Sequence, residues 1–182
     1  MRTSPQTRPS LLLQIRDLRN GCAWAEFVEV YAPVIYGFCR AHGFQDADAA
    51  DVTQDVLLAV SKSIGRLDYD RSRGSFRGWL LTVTRSKICD RRARQRQGAV
   101  GSGDTAWNVQ LNNQPGRSEA DSERWNRQYE QRVFSLAAQR VQQDVEDRTW
   151  QAFWRTAVEG QRPKDVAHGL EMNVSEVYLA KN

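Results

Sequence analysis

The chain of 182 residues carries 26 Lys and Arg against 22 Asp and Glu, a formal charge of +4, with 40% hydrophobic residues, 26% charged residues and six Trp. That length holds one domain of ordinary size or two small ones, and the composition is that of a folded chain. No apolar run approaches the roughly 18 to 20 residues needed to span a bilayer, and MRTSPQTRPS has no apolar stretch like that of a secretory signal, so a cytoplasmic protein without a membrane partner is expected. Cys22, Cys39 and Cys89 are odd in number and form no CxxC pair. They are expected to be buried or partly buried free thiols, not a disulfide framework or a zinc site.

Ser10 is a candidate N-cap for a first helix carrying Leu11, Leu12, Ile15 and Leu18, and Asn20-Gly21 ends it. A second helical pattern bears Trp24, Phe27, Val28, Tyr31, Ile35 and Phe38, with Pro33 predicting a kink or a restart, because proline lacks the amide and clashes with the preceding turn. Gly43 closes it. From Asp46 to Ile64, Val52, Val56, Leu57, Val60 and Ile64 share one apolar sector of a helix, beside which Asp48, Asp51 and Asp55 line up. A solvated acidic face is the default for such a row, and its early acids suit the positive end of the helix dipole.

After a loop over 65–74, the stretch FRGWLLTVTRSKICDRRARQRQ starts with Phe76, Trp79, Leu80 and Val83 at helical spacing and ends in arginines. From Arg66 to Arg96 there are ten Lys or Arg against three Asp, an excess of seven, so the rest of the chain is net acidic. Aromatics at this spacing are more often core than base-stacking residues. A charge excess this large nonetheless points to an anionic partner, nucleic acid first.

Residues 97–120 are dense in Gly, Asn, Ser and Gln and read as a flexible linker, in which Trp107 is unexpected. Beyond it Trp125, Tyr129, Val133, Leu136 and Val141 fall on one side of a helix, and Trp150, Phe153, Trp154 and Val158 mark another that stops at Gly160. Pro163 opens a short helix, KDVAHGL. After the turn EMN, Asn173 or Ser175 caps a last one, VSEVYLAKN. Short helix, turn, helix, with small Ala167 at the expected crossing, is a helix-turn-helix pattern. The predicted fold class is all-α: two small helical domains, 1–96 and 121–182, joined by the linker.

No catalytic constellation can be assembled. His42 and His168 have no metal-ligand spacing with a carboxylate or Cys, and neither a phosphate loop nor a nucleophile elbow occurs. The expectation is a protein that is not an enzyme, with no cofactor and no metal.

The DVTQDVLLAV helix, the FRGWLLTVTRSKICDRRARQRQ segment, the linker and the C-terminal helix-turn-helix, in that order, resemble bacterial RNA polymerase sigma factors of the extracytoplasmic-function group. The resemblance implies that Asp51, Gln54 and Asp55, matching D-x-x-Q-[DE], dock on the coiled coil of the polymerase largest subunit, with Val56 and Leu58 extending that contact or packing beneath it. It implies that Phe76, Trp79, Arg85, Ser86, Lys87, Asp90, Arg91, Arg92 and Arg94 belong to the segment that melts the minus-ten promoter element and holds its non-template strand. An aromatic platform and arginines suit an unstacked strand. The C-terminal domain would read the minus-thirty-five element through Ser175, Glu176 and Lys181. Members of this group are commonly held by an anti-sigma partner, which the sequence does not identify.

Three positions depart from the family pattern. Ser86 stands where members often carry Asn in the base-reading loop. Glu171 occupies a turn position usually held by Gly, where a positive φ would cost about 1 kcal/mol. The sequence ends at Asn182, without the Arg-rich continuation of the recognition helix, which predicts weak promoter binding through that domain. Two other readings stand beside this one: a helix-turn-helix regulator that binds duplex DNA by itself, and a helical adaptor without salt-dependent DNA affinity.

Overall fold

A computed structural model describes residues 8–66, 75–97 and 119–181, and every regular element among them is helical. The helices are α1 (Pro9–Gln14), α2 (Gly21–Ala41), α3 (Asp46–Ser63), α4 (Phe76–Gln97), α5 (Glu119–Asp144), α6 (Asp147–Phe153), α7 (Pro163–Gly169) and α8 (Val174–Lys181). Most of the expected loop at 65–74 and nearly all of the linker, Trp107 included, lie outside the described residues. The chain divides into two compact units, Met1–Val133 and Phe134–Asn182. That division falls within α5, whereas the sequence starts the second domain at 121, because Trp125 and Tyr129 bury in the first unit's core.

In the first unit, α1 begins one residue before Ser10, with Pro9 in its first turn and Arg8 at the cap. It ends early, before Leu18, which is left exposed. Asp17 Oδ1 accepts the Arg19 amide at 3.0 Å, a side-chain turn that competes with the helix. Asn20 does more than end α1. Its Oδ1 accepts the Ala23 amide at 3.1 Å and caps α2.

Pro33 produces no restart, since α2 runs from Gly21 through Ala41 with the proline inside it. A proline there cannot bond the carbonyl four residues back, that of Glu29, and Arg132 on α5 supplies the donor instead, Nε to Glu29 O at 3.0 Å. α3 follows its sequence pattern closely: Val52, Val56, Val60 and Ile64 are buried against α2 and α4, and Leu57 is half-buried. Small Ala49 and Ala59 fill the same face, and Thr53 satisfies its buried hydroxyl on Ala49 O at 2.7 Å. The first half of α5 closes the core. Trp125 meets Phe38 edge to face, Tyr129 stacks on Tyr31, and Gln128 lies so close to Gly37 that a Cβ there would sit 3.1 Å from its Nε2.

Of the cysteines, Cys39 is buried as expected, but Cys22 and Cys89 are exposed. Burial pushes the Cys39 thiol up to about 12, so it stays protonated and unreactive. A maleimide at mildly alkaline pH is therefore expected to label Cys22 and Cys89 in the folded chain and Cys39 after unfolding. Peptide mapping that finds Cys39 labelled under native conditions would contradict this packing.

In the second unit, α6 widens into a π-helical turn over Trp154–Val158 and stops at Gly160, φ +71°. Trp150 packs with Phe153 and Trp154, while the expected apolar positions Val141 and Val158 are exposed. Ala152, Val166, Ala167 and Val177 make a small core where α6, α7 and α8 meet. Between α7 and α8, Glu171 has φ +52°, the left-handed conformation that its place in the turn suggested. Arg148 Nη2 donates to both Leu170 O and Glu171 O at 2.6 Å, which holds the turn. Glu171→Gly is expected to stabilise this unit by about 1 kcal/mol, seen as a thermal midpoint several degrees higher; an unchanged or lower midpoint would mean the turn is not strained.

Candidate nucleic-acid interface

α4 begins where Ser75 Oγ accepts the Gly78 amide at 3.1 Å, a cap three residues ahead of its partner. Its apolar face is Phe76, Leu80, Leu81, Val83 and Ile88, and buried Thr84 bonds back to Leu80 O. Phe76 is 1% exposed, wedged edge to face against Phe27 and Tyr31, so its ring is part of the core and presents no surface to a base. Trp79 is half-buried against the same core, which leaves part of its ring at the surface. Ser86 and Asp90 are half-buried, as are Arg77, Arg85, Lys87 and Arg91, whereas Arg92 and Arg94 are exposed.

Each α4 cation whose side chain is among the described residues, from Arg77 to Arg94, has a partner inside the unit. Arg91 donates to Asp48 Oδ1 at 2.5 Å and to Asp51 Oδ2 at 2.9 Å. Asp48, accepting that bond, raises the Arg91 guanidinium above its ordinary value and keeps it charged. Arg94 lies 3.9 Å from Asp55, and Gln95 adds a bond to Asp48 at 3.0 Å. Arg92 donates to the His42 carbonyl at 2.7 Å and stands over the Phe44 ring. Lys87 lies 3.9 Å from Asp90, Arg85 donates to Asp121 at 3.2 Å, and the Arg77 guanidinium stands over Tyr129.

On α3, Asp51, Gln54, Asp55 and Leu58 follow one another at the three- and four-residue spacing that makes one stripe of a helix. Asp51 and Gln54 are exposed, Asp55 is half-buried, and Leu58 is 57% exposed although the opposite face of the helix is fully packed. Val56, by contrast, is wholly buried and packs beneath the stripe. The acidic row and the arginine helix are thus not independent surfaces, because Asp51 and Asp55 bind Arg91 and Arg94 across the groove between α3 and α4. Sequence spacing shows each helix's charge but not which charges meet. It gave Asp48 no role beyond the acidic row, and nothing in it singles out Asp121.

In the second unit Ser175, Glu176 and Lys181 are all exposed on α8. Glu176 Oε2 also accepts the Asn173 amide at 2.8 Å, the reach-back half of a capping box, so this acid helps start the helix. Tyr178 and Leu179 stand exposed between these positions. Among the described residues no group of His, Cys, Asp and Glu converges as metal ligands would, and no helix is long and apolar enough to cross a membrane.

The family model for sigma-70 region 2 matches residues 27–98, which run from α2 to the end of α4. The chain is also 32% identical over 88 residues to the ECF RNA polymerase sigma factor RpoE of Cereibacter sphaeroides, a match covering 48% of each protein. The chain spans about half the length of that curated relative in the match. These likenesses agree with the resemblance carried by the DVTQDVLLAV and FRGWLLTVTRSKICDRRARQRQ motifs.

Proposed function

We propose that this chain, whose residues 27–98 match the sigma-70 region 2 model, is a sigma factor of the extracytoplasmic-function group that binds core RNA polymerase and directs promoter-specific initiation of transcription. The observation that carries the reading is the α3 stripe: an exposed leucine, Leu58, continues a row of Asp51, Gln54 and Asp55 on a helix whose other face is filled. An exposed apolar side chain among polar ones is what a protein-docking surface needs, an anchor inside a polar rim. The partner is the coiled coil of the polymerase largest subunit. A photo-crosslinker placed at position 58 is expected to label that subunit; labelling confined to other subunits would contradict the assignment.

α4 then faces promoter DNA. Trp79 offers a partial ring for stacking, Arg92 and Arg94 offer exposed cations for the backbone, and Ser86, Lys87 and Asp90 lie on the same helix to read a base. Phe76 serves this surface from beneath, by fixing the helix. Arg91 is bound to Asp48 and Asp51 and Arg94 to Asp55, so removing either would disturb α3 as well, and Arg92 is the cleaner probe. Arg92→Ala is expected to reduce open-complex formation several-fold while leaving polymerase affinity unchanged. Equal loss of both would point to damage of the fold. The second unit reads the duplex minus-thirty-five element through α8, with Ser175 and Lys181 as contacts and Glu176 shared between DNA and the helix cap.

A further inference from the structure

Six basic side chains of α4 are described from Arg77 to Arg94, and two of them are covered by α5, which follows the 98–118 segment in sequence: Arg77 by Tyr129 and Arg85 by Asp121. The Arg85 pair is the weaker fit. Asp121 meets Arg85 end-on, through Nη2 at 3.2 Å, and the same carboxylate also faces His42 Nε2 at 3.4 Å. Arg85 Nε is buried with no hydrogen-bond partner. Trp125 Nε1 and Gln128 Oε1, one and two turns further along α5, are also buried without partners. The seat is well packed in apolar terms and under-satisfied in polar terms, and unpaired buried donors are costly. A guanidinium held by one nitrogen, with its Nε idle, suits an oxyanion that can accept two parallel bonds.

From this geometry we infer that Asp121 is an internal competitor for a phosphate at Arg85: the first turn of α5 masks this cation in the free chain and yields it to the DNA backbone. The inference rests on the promoter-binding reading of α4 and adds a regulation to it. Release needs little movement. Asp121 is the third residue of α5, where a helix frays most readily, while Trp125 and Tyr129 anchor the helix one and two turns further on. A strand's phosphate then takes the place of the Asp121 carboxylate and engages the idle Nε as well. The exchange makes DNA binding by the free chain weaker than the excess of seven positive charges over 66–96 would give.

The test measures binding of the full chain, without polymerase, to a labelled single-stranded oligonucleotide over a range of salt. Asp121→Asn is expected to tighten binding roughly three- to tenfold and to steepen the salt dependence by about 0.7, the slope of one added phosphate contact on single-stranded DNA. Glu123→Gln, which removes one negative charge two residues away on the same helix, is expected to change binding less than twofold, and Asp121→Glu should behave as the natural chain. The gain should vanish in Asp121→Asn combined with Arg85→Ala. Circular dichroism of each variant checks that the helices are retained. Equal gains from Asp121→Asn and Glu123→Gln, a gain that persists without Arg85, or no gain in a folded Asp121→Asn chain would each overturn the masking role. Absence of DNA binding by every variant, with and without polymerase, would instead overturn the promoter-binding reading itself.

Discussion

Gln54→Ala combined with Asp55→Arg is expected to lower affinity for core RNA polymerase by roughly 100-fold or more, as measured by fluorescence titration of the labelled chain. The two positions sit in the middle of the exposed α3 stripe between Asp51 and Leu58. The arginine puts a like charge against a surface that must attract acids, and interface centres concentrate binding energy in a few residues. The fold should survive, because both side chains point away from the packed face of α3 and Asp55 contributes only a 3.9 Å ion pair with exposed Arg94. Surface ion pairs of that kind contribute about 0 to 1 kcal/mol. Retained affinity in a folded double variant would remove α3 from the polymerase interface.

Phe76→Ala is expected to destabilise the first unit by about 3 to 5 kcal/mol, a large part of the roughly 5 to 15 kcal/mol that holds a domain together. The ring touches Phe27, Tyr31 and Trp79, and its loss leaves a cavity at the start of α4 that those aromatics cannot close. Phe76→Leu separates structure from recognition. As a core residue, leucine should restore most of the stability and leave DNA binding intact. If the ring stacked on a base, leucine would fold normally and still weaken binding by about 1 to 3 kcal/mol, and that result would return Phe76 to the interface.

The contrast between α3 and α4 explains what could be read from residues alone. Val52, Val56, Val60 and Ile64 declare their shared face by spacing, and all four are buried together. Spacing gives direction around one helix, so the Asp48, Asp51 and Asp55 row was equally visible. Partners on other elements were not. Arg91 reaches Asp48 across 43 positions, Arg85 reaches Asp121 across 36, and Arg132 reaches the Glu29 carbonyl across 103. The last of these explains Pro33, because the break that proline chemistry predicts depends on whether another segment supplies the missing donor. Phe76 carried no sequence mark separating a core ring from a stacking ring, since both functions use an aromatic at the same helical spacing. The start of the second unit was misplaced for a related reason: the apolar stripe of α5 is continuous through Trp125, Tyr129 and Leu136, and nothing in its period tells which residues pack on which core. The positive φ of Glu171 was legible only through the family resemblance, which puts Gly at that place in the turn.

The most direct measurement is size-exclusion co-elution of the purified chain with bacterial core RNA polymerase. The account predicts that the chain elutes with the polymerase and that Gln54→Ala with Asp55→Arg elutes apart from it. A natural chain that is folded, yet elutes apart from core polymerase, would contradict the sigma-factor function proposed for it.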